Sequence, residues 1–93
     1  MKQYELAIII HPDLDDEAIE LALDRIRGWI TESGGSIDKT DNWGKRRMSY
    51  EIQKQNEGIY YLIDISLPPN AVADLEKNIT ILESVMRHMI VVK

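Results

Sequence analysis

Apolar and polar residues alternate with a period of two at the start of the chain. Tyr4, Leu6, Ile8 and Ile10 share one parity, and Gln3, Glu5 and Ala7 take the other. That alternation predicts a half-buried strand over residues 2–10. His11-Pro12-Asp13 ends it, since proline has no N–H to give to a ladder. The period then changes. Ile19, Ala22, Leu23, Ile26 and Ile30 recur at helical spacing and form one continuous apolar stripe. Asp13 or Asp15 can cap this helix, and the acids that follow suit the positive end of its dipole. Gly34-Gly35 stops it by supplying a left-handed C-terminal residue.

Residues 36–54 read as a long second strand with a fault in it. Ile37 is odd, whereas Met48, Tyr50 and Ile52 are even, so reconciling the two needs one inserted residue. Trp43-Gly44 is where a glycine bulge fits. Gln55-Asn56-Glu57-Gly58 supplies turn residues, and the third strand folds back with Ile59, Tyr61, Ile63 and Ile65 on one side. Pro68-Pro69 ends that strand. Val72, Leu75, Ile79 and Leu82 then mark a second amphipathic helix, and Val85 to Val92 a last strand.

The order β-α-β-β-α-β with two one-sided helices predicts an α+β fold: a two-layer, ferredoxin-like βαββαβ sandwich. Right-handed crossovers give a four-stranded antiparallel sheet of order 4-1-3-2, with both helices on one face and the long second strand at an edge. The other face is left open, and Tyr60 and Leu62 fall on it, with Ile9 beside them. At 93 residues the chain is a single domain, 1–93.

Composition removes several classes of function. There is no cysteine, which excludes a disulfide scaffold and thiolate-bound metal and fits a reducing compartment. No apolar run approaches the roughly 20 residues of a membrane helix, and the expectation is a soluble, cytoplasmic domain without a membrane partner. The net charge of −5 disfavours a polyanionic partner, but the charge is unevenly spread. Asp13 to Asp24 carries six acids and no base, whereas Lys39 to Lys54 carries five bases and two acids, a local +3. Screening confines attraction to about 8–10 Å, so one basic patch on an acidic protein still serves phosphate.

Gly44-Lys45-Arg46-Arg47, beside Trp43, is the densest basic cluster. Cations on an edge strand discourage aggregation, and the same arginines offer planar forks of donors to phosphate. Alternation places Lys45 and Arg47 on one face and Arg46 on the other. Lys2, Lys54 and Arg87-His88 add scattered positive charge. His11, His88 and Asp13 are a conceivable but weak metal set, and neither a metal nor a cofactor is expected. No nucleophile elbow or glycine-rich phosphate loop is present, and His11-Pro12-Asp13-Leu14-Asp15 is an acidic loop that repels phosphate. The chain does not read as an enzyme.

Several segments together resemble one family. They are Tyr4-Glu5-Leu6, Asp13-Leu14-Asp15, the run Trp43-Gly44-Lys45-Arg46-Arg47-Met48-Ser49-Tyr50-Glu51-Ile52-Gln53-Lys54, Gly58-Ile59-Tyr60 and the ending Val85 to Lys93. In order, and over essentially the whole chain, they are similar to the sixth protein of the bacterial small ribosomal subunit. The resemblance implies a non-enzymatic RNA-binding domain, a monomer when isolated. It pairs with the eighteenth small-subunit ribosomal protein, and the heterodimer binds the central domain of 16S ribosomal RNA during assembly. Carried over by position, Lys2, Arg46, Arg47, Lys54, Tyr60 and Arg87 face RNA, and Trp43, Tyr60 and Leu62 lie on the protein-partner surface. Sharing the RNA with a basic partner reconciles binding with the −5 charge. A competing reading is a small-molecule-binding regulatory module of the same fold; the missing glycine-rich ligand loop counts against it.

Overall fold

The elements in chain order are β1 (Lys2–Ile10), α1 (Asp16–Glu32), β2 (Ser36–Ile52), β3 (Gln55–Leu67), α2 (Val72–Ile81) and β4 (Val85–Val92), with a 3-10 turn, Pro69–Ala71, leading into α2. The structure is a computed structural model that describes residues 1–52 and 55–93, with side chains throughout except at 49–52 and 55. The four strands form one antiparallel sheet of order β2-β3-β1-β4, as the hydrophobic pattern predicts.

The core lies between the sheet and the two helices. β1 contributes Tyr4, Leu6, Ile8 and Ile10; β3 contributes Ile63, Ile65 and Leu67; α1 contributes Ile19, Leu23, Ile26 and Ile30; α2 contributes Leu75 and Ile79. Each fully buried aliphatic side chain stabilises the fold by roughly 1.5–3 kcal/mol relative to exposure. The helix-facing parities of β1 and β3 are those the alternation predicts.

Local chemistry sets the ends of α1. Asp15, not Asp13, is the cap: its Oδ1 accepts from the Ala18 N–H at 2.8 Å, and Asp16 and Glu17 occupy the first turn. At the other end Gly34 adopts φ 86°, and its N–H donates to the Thr31 carbonyl at 3.0 Å. That left-handed turn starts the chain back into β2.

Two features of the β2–β3 hairpin differ from expectation. First, Gln55 to Gly58 is not a turn. Those residues belong to β3, and Ile52 pairs with Gln55, so the ribbon is longer than its turn-forming composition suggests. Cross-strand pairing outweighs the turn preference of Asn56 and Gly58. Second, β2 holds two irregularities before Arg47, not one. The register shifts between Ile37 and Lys39 and again between Asn42 and Gly44, where Gly44 has φ 76°. Two insertions restore the original parity, so Lys45 and Arg47 return to the helix side, opposite Ile59 and Glu57, and Arg46 takes the open side, opposite Gly58. Met48 is buried but stands outside the helix-side cluster in which the alternation puts it. Tyr50, Ile52 and Lys54, to which the same alternation assigns positions, have side chains outside the described residues.

Candidate nucleic-acid interface on the open sheet face

The face of the sheet turned away from the helices is built from registered rows. Tyr60 of β3 stands opposite Ile9 of β1 and Gly44 of β2, and Ile9 in turn stands opposite Arg87 of β4. The next row inward is Asp41, Leu62, Ala7 and Met89. With strands about 4.8 Å apart, the first row is about 14 Å wide, with an aromatic ring near its centre. Tyr60, Ile9 and Leu62 are half-buried, whereas Arg46 and Arg87 are exposed.

Gly58 explains how Ile9 packs into this row. A Cβ on Gly58 would land well inside van der Waals contact distance of Ile9 Cγ2, so the isoleucine methyl fills the space that a side chain would take. Gly58 is consequently buried in the middle of a strand that faces solvent. The bulge adjusts the other end of the row. Asn42 Oδ1 accepts from the Gly44 N–H at 2.8 Å, and Arg46 Nε donates to the Trp43 carbonyl at 3.1 Å. The guanidinium is thereby drawn back along β2 toward the bulge, and Trp43 itself is 52% exposed.

The structure gathers Arg46, Tyr60 and Arg87 on one end of one face, with Leu62 in the adjoining row and Trp43 at the bulge. It does not bring Lys2 there. Lys2 pairs with Leu67, seven residues along β1 from Ile9, or about 24 Å, and on the helix-side parity. Arg47 also points to the helix side, and Lys54 lies outside the described residues. His11 and His88 are likewise apart. His88 stands opposite Ile8, three positions from His11, and the His11 Nδ1 instead lies 3.8 Å from Asp13 Oδ2. Among the described residues no three His, Asp or Glu side chains are grouped to hold a metal.

Tyr61, next to Tyr60, faces the helices. Burial, followed by the nearby carboxylates of Glu20 and Asp16, raises its pKa above the ordinary value. It is therefore neutral at physiological pH and belongs to the packing of α1 on the sheet. Sequence reasoning did not reach Met89 and Val91, which are 56% and 43% exposed and extend the apolar rows onto β4. The order 4-1-3-2 combined with alternation in β4 carries that signal.

Comparison with known proteins agrees with this architecture. The family model described as Ribosomal protein S6 matches residues 3–92. A small ribosomal subunit protein bS6 of Rhodococcus opacus is 47% identical over 87 residues, covering 94% of this chain and 92% of that protein. Its counterpart in Salinispora arenicola is 42% identical over 91 residues, covering 98% and 95%. The crystal structure of 30S ribosomal protein S6 from Thermotoga maritima is similar with a TM-score of 0.92 and 30% identity, over 99% of this chain and 87% of that one. The C-terminal domain of MgtC from Mycobacterium tuberculosis has a TM-score of 0.66 at 8% identity and shares the fold alone. A match that runs from β1 to β4, at this identity and with this superposition, makes the chain a member of the ribosomal protein S6 family and so a structural constituent of the small ribosomal subunit.

Proposed function

We propose that the chain binds the central domain of 16S ribosomal RNA as a heterodimer with the eighteenth small-subunit ribosomal protein, and that this pairing acts during subunit assembly. Arg46, Tyr60 and Arg87 form the RNA-facing end of the open sheet. Trp43 and Leu62 adjoin it on the side of the protein partner, which shares Tyr60. Lys2 and Arg47 are further RNA contacts at separate places on the surface, and Lys54, which lies outside the described residues, is a further contact by its family position. The isolated chain is a monomer and binds RNA weakly, because its −5 charge opposes a polyanion until a basic partner joins it.

One observation carries this reading. Two exposed arginines, one from each edge strand, flank a tyrosine–isoleucine row on a sheet face that neither helix covers. Guanidinium groups grip phosphates as planar forks, and an aromatic ring on a sheet offers a stacking surface to an unpaired base.

The test is a gel-shift titration on a central-domain RNA fragment, with the chain alone and with the eighteenth protein, at two salt concentrations. Cooperative, salt-sensitive binding is expected only with the partner. Arg46→Gln with Arg87→Gln should weaken that binding and lower the salt slope by about 2, one for each phosphate no longer neutralised. Partner affinity should survive. Tight binding by the chain alone, or no shift in either condition, would overturn the reading.

A further inference from the structure

The second irregularity of β2 leaves one residue of the edge strand without a counterpart. Asn42 stands opposite Tyr61 and Gly44 opposite Tyr60, with Trp43 inserted between them. Two side-chain bonds meet there on one peptide unit. Asn42 Oδ1 accepts from the Gly44 N–H at 2.8 Å, and the Trp43 carbonyl accepts from Arg46 Nε at 3.1 Å. That N–H and that carbonyl both belong to the peptide group joining Trp43 to Gly44. The group is planar, so holding its N–H fixes the direction of its carbonyl. The two bonds also polarise one another through the shared amide, which strengthens both.

Gly44 makes that orientation accessible. Its φ of 76° lies in the left-handed region, and an added Cβ would meet nothing within 4 Å. The glycine is called for by the backbone conformation and not by crowding. Asn42 closes the same turn with a short polar side chain, two residues before the N–H from which it accepts. The fold gains little from these bonds: β2 is an edge strand and Asn42, Trp43 and Arg46 are exposed, so water would satisfy the same groups. What the arrangement does set is the position of the Arg46 head. The Arg46 backbone stands opposite Gly58, two residues or about 7 Å along β2 from Gly44. The bond to Trp43 takes the guanidinium back toward the Tyr60 row.

We infer that Asn42 is a positioning residue for RNA binding: through the Trp43–Gly44 peptide it holds the Arg46 guanidinium near the Tyr60 row, with Nη1 and Nη2 left to grip a phosphate. A guanidinium has five N–H donors, of which Nε carries one. With Nε committed to the Trp43 carbonyl, the fork that remains is the end-on one formed by Nη1 and Nη2. The ligand is a phosphate gripped end-on by Arg46, with a neighbouring base over Tyr60. An unrestrained arginine loses the freedom of its long side chain when it meets RNA, whereas here that freedom is already lost in the folded chain. The inference rests on the reading of the open face as an RNA site and adds to it a residue that itself touches no RNA.

A purely structural role for Asn42 predicts a different pattern. Its loss would then loosen the bulge and weaken RNA binding by the same factor whatever residue stood at position 46. A role exercised through Arg46 requires that the effect vanish once the guanidinium is gone.

The experiment has two arms. In the first, the chain together with the eighteenth protein is titrated with the central-domain RNA fragment at two salt concentrations. Asn42→Ala should weaken binding by about fivefold, the scale of ordering one long side chain. Its salt slope should stay that of the wild type, because the Arg46 charge remains, whereas Arg46→Met should lower the slope by about 1. In the Arg46→Met background Asn42→Ala should have no further effect. Asn42→Ser, which keeps a neutral acceptor, should recover most of the affinity. In the second arm, NMR follows exchange of the Arg46 Nε proton with water in the chain alone. Exchange should be several-fold faster in Asn42→Ala than in the wild type. If the wild-type pair binds and Asn42→Ala binds equally well, this inference fails and the RNA reading stands. Equal losses with and without Arg46, a serine variant as weak as the alanine one, or an unchanged exchange rate would each overturn the inference. No binding by the wild-type pair overturns the RNA reading and this inference together.

Discussion

Gly58→Ala tests whether the open face is packed as tightly as its register implies. Gly58 is buried, and an added methyl would overlap the Cγ2 of Ile9. That methyl is bonded directly to the Ile9 β-carbon, so it can retreat only by turning a β-branched side chain out of its preferred rotamer or by moving β1. β1 is fixed on both sides by β3 and β4. Overpacking of this kind costs about 1–3 kcal/mol, and the lower unfolded-state entropy of alanine returns about 0.4–1 kcal/mol. The net loss is about 1–2 kcal/mol, and each kcal/mol corresponds to about 4–8 °C in Tm for a domain of this size. Urea denaturation should show a lowered midpoint with an unchanged m-value. The decisive measurement is the double-mutant cycle with Ile9→Ala, which removes Cγ2. In that background Gly58→Ala should cost nothing or should stabilise, a coupling of about 1–2 kcal/mol. An equal cost in both backgrounds would refute the argument, because the strain would then not lie between these two residues.

Other expectations concern the helix-covered face. Asp15→Ala removes the acceptor of the Ala18 N–H and a negative charge at the start of α1, and should cost about 0.5–2 kcal/mol by urea denaturation. For Tyr61 the folded pKa is raised above 10.0, so the unfolded chain loses this proton first as the pH climbs. The stability it contributes is complete below the unfolded value and is lost as the pH rises through the folded one. Wild-type stability should therefore fall more steeply than that of Tyr61→Phe above about pH 10, and parallel profiles would contradict the assigned burial.

The candidate interface depends on how β2 is broken. A β2 without irregularities would put Lys45, Arg46 and Arg47 on sides fixed by the parity of Ile37. The two register shifts leave that parity intact while bending the edge strand, and the second places Trp43 and Gly44 beside the Tyr60 row. Arg46 therefore shares a face with Tyr60 and Arg87, although it comes from the opposite edge of the sheet. The three adjacent bases cannot act on one phosphate. Only Arg46 joins the open face, and Lys45 and Arg47 face the layer of the helices.

Much of this was legible in the chain itself. The period of two in Tyr4 to Ile10 and the helical spacing of Ile19 to Ile30 determine β1 and α1, because one apolar side each must be buried. The order of elements then leaves few topologies, and the family resemblance runs through the same residues. Tyr60, Leu62 and Ile9 could be assigned to the uncovered face for the same reason. What alternation cannot supply is the residue that stands opposite on the next strand. Register is a property of pairs, set by packing across the sheet and by irregularities that one strand's pattern does not count. The second shift in β2, the extension of β3 back to Gln55, and the separation of Lys2 and Arg47 from Arg46 emerge only when strands are laid side by side. So does the opposition of Glu5 and Asp64, 59 positions apart in sequence and adjacent in the sheet, with Lys93 drawn over them from the far end of the chain.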